Sequence, residues 1–152
     1  MKKFELTSEF VTFLGKKLFR IKALVSFGDV KEGELGGLVE KEENLDQSGD
    51  AWVYGNARVS GDARVYGDAW VSGDARVQNC RDYSATSCFG SGNRTTTFFR
   101  TKDGGISVRC GCFYGTLNEF REKVKERHGD SRLAKEYLML ADLMEFRLSK
   151  DE

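Results

Sequence analysis

From Asp50 to Gln78 one six-residue unit recurs five times: Asp50-Ala-Trp-Val-Tyr-Gly, Asn56-Ala-Arg-Val-Ser-Gly, Asp62-Ala-Arg-Val-Tyr-Gly, Asp68-Ala-Trp-Val-Ser-Gly and Asp74-Ala-Arg-Val-Gln. A period of six suits no α-helix, whose faces repeat every 3.6 residues. A branched valine and an alanine two residues before it point to the same side of a strand, so each unit buries both and turns the residue between them outward. The following Gly-Asp or Gly-Asn pair accepts positive φ and bends the chain. Each unit is therefore a short strand and a corner, and stacked units pair with one another along their length.

These repeats, with Leu18-Phe-Arg-Ile-Lys-Ala-Leu24, Gly36-Gly-Leu-Val-Glu-Lys-Glu-Glu-Asn-Leu45, Thr95-Thr-Thr-Phe-Phe-Arg100, Cys110-Gly-Cys-Phe-Tyr-Gly-Thr-Leu-Asn-Glu-Phe120 and Arg127-His-Gly-Asp130, resemble small phage- and prophage-encoded hexapeptide-repeat proteins. The resemblance spans nearly the whole chain. It implies a left-handed parallel β-helix with three units per triangular coil and a setting in the host cytosol, and it brings no defined chemistry. It also implies self-association, with a homotrimer as the leading assembly and a dimer second.

The expected fold is mainly β, with four segments. Residues 1–34 form an N-terminal β cap of two or three strands around the turn at Gly15-Lys-Lys; residues 35–78 form the short β-helix. Residues 79–94, rich in Ser, Asn and Gly, read as a linker loop, and residues 95–152 as a ββαα unit. In that last segment Lys102-Asp-Gly-Gly marks a hairpin between strands over 95–101 and 106–112. Thr116-Leu-Asn-Glu119 is a capping box that opens a helix ending near His128-Gly129. A second helix over 131–148 carries Leu133, Tyr137, Leu140, Ala141, Met144 and Leu148 on one stripe. Within the β-helix Val39 and Leu45 keep the six-residue step, and the eight residues from Leu45 to Val53 require a two-residue insertion. Val39, Leu45 and the five repeat valines make seven units, little over two coils, and so short a stack favours partners of its own kind.

The 24 basic and 24 acidic side chains cancel, which argues against non-specific nucleic-acid binding. No apolar run approaches the about 20 residues needed to span a bilayer, and Met1-Lys-Lys is followed by mixed residues, not by a signal-peptide core. The expectation is a soluble cytoplasmic protein with reduced cysteines. Cys80, Cys88, Cys110 and Cys112 lack Cys-x-x-Cys spacing, so buried thiols are favoured over a zinc site.

Candidate binding residues lie at the outward slots of the repeat. Trp52 and Trp70, 18 residues apart, should stack as an exposed ladder on one face, Arg58 and Arg76 on the next, with Arg64 on the third. Such side chains anchor interfaces or stack on bases, or they serve the chain's own subunit contact. Arg94 and Arg100 flank a Thr- and Phe-rich strand and could capture phosphate or carboxylate, although alternating Thr and Phe also describes an ordinary strand. His128, the one histidine, falls at a helix C-terminus, where its cationic form complements the helix dipole. No catalytic triad, phosphate loop or metalloprotease motif is present. The expected function is that of a non-catalytic oligomeric binding protein without cofactor, a host-directed accessory or defence inhibitor that masks a host protein or sequesters a signalling nucleotide. A self-assembling scaffold and a hexapeptide acyltransferase relative are the alternatives.

Overall fold

At four successive corners of the repeat the backbone closes the same tight turn. The amide of the unit's alanine donates to the carbonyl three residues earlier, Ala57 to Tyr54, Ala63 to Ser60, Ala69 to Tyr66 and Ala75 to Ser72, at 3.2–3.3 Å. The corner glycines 49, 55, 61, 67 and 73 hold φ between 60° and 72°, a region that costs an L-residue about 1 kcal/mol or more. The computed structural model describes residues 2–86, 95–110 and 113–149. It is mainly β with two C-terminal helices and divides into two compact units, residues 1–80 and 81–152.

In the first unit, β1 (Phe4–Phe13), β2 (Lys16–Ala23), β3 (Leu35–Val39), β4 (Trp52–Val53), β5 (Arg58–Val59), β6 (Trp70–Val71) and β7 (Arg76–Val77) follow in chain order. β1 and β2 form an antiparallel hairpin, β2 pairs antiparallel with β3, and β3, β5 and β7 continue the same sheet in parallel. β4 and β6 form a separate parallel pair, and one parallel bridge joins Leu45 to Val65. Later partners stand 18 residues apart (Trp52 with Trp70, Arg58 with Arg76), earlier ones 20 (Leu38 with Arg58, Leu45 with Val65). The paired strands are only two residues long in the repeat, because each corner uses four of the six residues in a turn, and no described sheet closes on itself.

The inward pattern follows the sequence. Ala51, Ala57, Ala63, Ala69 and Ala75 and all five repeat valines are buried. The insertion after Leu45 has a use that the repeat does not announce. It carries Gln47, whose Oε1 accepts from the amides of Lys3 at 2.7 Å and Phe4 at 3.3 Å, fastening the start of β1 to the repeat. The Lys3 ammonium donates to the carbonyls of Ala51 (2.8 Å) and Gly49 (3.3 Å) and lies 4.7 Å from the Phe27 ring centre. Burial holds it below the usual lysine range, against the pull of Asp46, Asp50 and Asp68. Asn44 is fully buried. Its Oδ1 accepts from the amides of Glu40 and Lys41 (3.1 and 2.9 Å) and its Nδ2 donates to Ala63 O at 2.8 Å, so one side chain ties a 3-10 turn over Glu42–Asn44 to the next corner.

The second unit departs from the expected ββαα. β8 (Tyr83–Thr86), β9 (Thr96–Arg100), β10 (Ile106–Cys110) and β11 (Phe113–Thr116) form an antiparallel sheet in the order β11-β10-β9-β8. β8 lies inside the stretch assigned to a loop. Its short Tyr-Ser-Ala-Thr run has too little apolar alternation to stand out from the polar residues around it. β11 runs directly into the capping box of α1 (Leu117–His128), where Thr116 Oγ1 accepts from the Glu119 amide at 3.1 Å and Glu119 Oε1 from the Thr116 amide at 2.8 Å. α2 (Arg132–Leu148) begins after Ser131, whose hydroxyl accepts from the Ala134 amide. Phe98 and Val108, paired across β9 and β10, pack with Phe120, Val124, Tyr137, Leu140, Met144 and Leu148 into one core. Phe120 meets Phe98 and Tyr137 edge to face, each at 5.8 Å. Leu133, expected on the buried stripe, is exposed, and Ala134 takes its place.

Two substitution experiments follow. A Cβ at Gly67 meets open space, whereas one at Gly49 would stand 2.7 Å from Gly67 O. Gly67→Ala is expected to cost about 1 kcal/mol, from backbone strain alone, and Gly49→Ala about 2 kcal/mol or more; equal losses in urea unfolding would contradict the close stacking of those corners. Asn44→Leu strands the buried Ala63 carbonyl and removes an acceptor from the Lys41 amide, and is expected to cost about 2 kcal/mol or more by the same measurement.

Candidate ligand-binding face

Each repeat unit turns one side chain outward between its buried alanine and valine. At β5 and β7 these are Arg58 and Arg76, brought side by side by parallel pairing about 4.8 Å apart. The Phe13 ring at the end of β1 lies across both, 4.9 Å from the Arg58 guanidinium carbon and 5.7 Å from that of Arg76. Leu38 of β3, in register with Arg58, is buried and closes the row on one side.

The two guanidiniums are held differently. Arg76 Nη1 donates to three carbonyls, Ala75 O at 2.9 Å, Asp74 O at 3.3 Å and Asn56 O at 3.5 Å. Arg58 Nε is buried without a hydrogen-bond partner. Burial, and then the adjacent Arg58 charge, hold Arg76 below the ordinary arginine value, with Asp74 pulling the other way. Neither guanidinium forms an ion pair among the described residues. Other arginines in the chain do: Arg20 with Glu9 (3.3 Å), Arg64 with Asp46 (3.4 Å), Arg100 with Asp82 (3.0 Å) and Arg121 with Asp142 and Glu145 (2.8 and 2.6 Å).

The tryptophan ladder takes a different form from the expected one. Trp52 and Trp70 are in register on β4 and β6, but Trp52 is fully buried. Phe27 meets its ring edge to face at 5.3 Å, and its six-membered ring fills the space that a Cβ on Gly36 would need. The segment after β2 thus covers the first indole, and the chain's own cap occupies a slot that pattern alone reads as exposed. The Trp52 indole nitrogen is left without an acceptor. Trp70 is half-buried and leans on Tyr54, with ring centres 6.0 Å apart.

The second group of expected ligand residues is structural where it is described. Arg100 Nε donates to Leu148 O at 2.5 Å and Nη2 to Ser149 O at 3.1 Å, while Nη1 meets the buried Asp82 carboxylate. Arg100 therefore satisfies carbonyls at the end of α2, the place where a cation complements a helix C-terminus. Asp82, its partner, escaped notice because it sits in the stretch read as a loop. Arg94 lies outside the described residues, as do Cys88 and Cys112. Cys80 is exposed, and half-buried Cys110 accepts a hydrogen bond from Thr96 Oγ1 at 3.2 Å. Among the described residues no group of three or more His, Cys, Asp or Glu could hold a metal. His128 stacks on Tyr137 at 5.7 Å.

A further surface went unread in the sequence. Met139, Leu143 and Phe146 on α2 are all more than half exposed, Phe146 at 82%. Their spacing of four and three residues was visible, but the stronger stripe through Tyr137, Leu140 and Met144 drew the assignment. No described helix is long and apolar enough to cross a membrane.

Two overlapping windows, residues 51–67 and 57–73, match the family model of the YdcK Beta solenoid repeat. No curated protein matches the chain. The matched windows cover the corners and parallel pairs between β4 and β6, and they support a β-solenoid repeat there.

Proposed function

We propose that the repeat winds as a short left-handed parallel β-helix and that the protein is a non-catalytic binding protein acting as a homo-oligomer through α2. For the coil, the support is the constant 18-residue step of its later parallel pairs, which equals three six-residue units, with an alanine and a valine facing inward in each. The observation that carries the oligomer is the exposed Met139, Leu143 and Phe146 row. Contiguous apolar surface of this kind, rimmed by charge, marks association sites.

A second copy of the same helix suits the row. A two-fold pair sets the same row of each copy against the other, a self-complementary contact that covers all three side chains at once. The zero net charge removes long-range repulsion between copies. This favours a two-fold dimer over the trimer that the repeat class implies. The resemblance to phage-encoded proteins supports a host-directed setting, in which the outward side chains of the repeat engage a host protein or a small anionic ligand.

Light scattering on the full chain tests the assembly. The expected mass is twice the 17.1 kDa of one chain, falling to one chain in Phe146→Glu and Met139→Glu while the circular dichroism spectrum is kept. A wild-type monomer would overturn self-association, and a trimer would overturn the paired-helix arrangement.

A further inference from the structure

We propose that Arg58 and Arg76, side by side on β5 and β7 with Phe13 across both, form a site for the phosphate group of a small ligand. The first argument is charge. Arg58 and Arg76 stand on directly paired strand positions, and neither forms an ion pair among the described residues, unlike Arg20, Arg64, Arg100 and Arg121. Like charges on directly opposed strand positions destabilise a sheet. The arrangement therefore stores a repulsion that a bound anion would relieve.

The second argument concerns donors and shape. Arg58 Nε is buried and unsatisfied, and neither of its Nη atoms makes a hydrogen bond within the described residues. Arg76 commits Nη1 to carbonyls and keeps Nε and Nη2. Two planar forks thus offer several N–H groups from adjacent strands, with Phe13 and buried Leu38 limiting access of water on their flanks. Low local polarity strengthens each charged hydrogen bond.

The charge count selects the ligand class. A single carboxylate neutralises one guanidinium and leaves the other facing it, whereas a phosphate group carries nearly two negative charges near neutral pH and three acceptor oxygens. Arginine pairs also fit tetrahedral oxyanions in a way that a lysine point charge does not. Trp70 with Tyr54, on the neighbouring strand pair, offers an aromatic surface in the same unit for the remainder of such a ligand. This assignment rests on the binding-protein reading but not on self-association through α2.

The test uses inorganic phosphate on the full chain, compared with chloride at equal ionic strength. Two signals are expected: a phosphate-dependent rise in melting temperature, and selective shifts of the Arg58 and Arg76 Nε–H resonances. Arg58→Met and Arg76→Met are each expected to weaken phosphate binding at least tenfold and abolish the rise, while Arg127→Met, in the last turn of α1, retains it. Without phosphate, Arg58→Met should melt at or above the wild-type temperature, because the repulsion is gone. Unshifted Nε–H resonances at millimolar phosphate, or a rise that survives both substitutions, would overturn the site. The wild-type resonances decide the matter even if a variant fails to fold. Light scattering on the same samples separates loss of the site from loss of assembly.

Discussion

Glycine at each corner, held at positive φ and followed by an alanine whose amide bonds back across the turn, is the constraint on which the first unit depends. It repeats without change at Gly55, Gly61, Gly67 and Gly73. Because each corner turns the chain by the same amount, every alanine and valine returns to the inside and every third unit meets its counterpart in parallel register. The strands themselves are too short to impose that order. Two paired residues per unit give few ladder bonds, so local turn geometry sets the direction and the buried Ala-Val rows supply the cohesion.

The second unit is built on a different principle. Its four antiparallel strands lay Phe98 and Val108 against two helices whose ends are capped by side chains, Thr116 and Ser131 at the starts and Arg100 at the close of α2. Here the core is aromatic and edge-to-face packed, and the polar groups of helix termini are satisfied locally.

The sequence was legible where one local rule decides the outcome. The six-residue period fixed the inward rows, the capping box fixed the start of α1 and the Asp-Gly-Gly turn fixed the β9–β10 hairpin. It was not legible where distant segments compete for the same surface. Trp52 occupies an outward slot by pattern, yet Phe27 and the glycine at position 36 draw it inside. Arg58 and Arg76 were read together from spacing, but nothing local to the repeat announces that Phe13, more than forty residues away in the chain, will lie over them. Arg100 looked like a ligand group because its partners, Asp82 and the last carbonyls of α2, come from opposite ends of the second unit.

A ladder of near-identical rungs carries an ambiguity that unrepeated folds escape: one rung can dock on its proper neighbour or, slipped along the ladder, on a different rung of the same pattern, with almost the same local energy. The irregular stretch holding Asn44 and Gln47 removes that freedom. It occurs once, grips Lys3 and Phe4 on one side and the Ala63 carbonyl on the other, and changes the offset from 20 residues to 18. It works as an index mark from which all later rungs are counted. Duplicating or deleting three units downstream of it would lengthen or shorten the ladder without disturbing alignment, whereas loss of the mark itself would let the turns slide against each other.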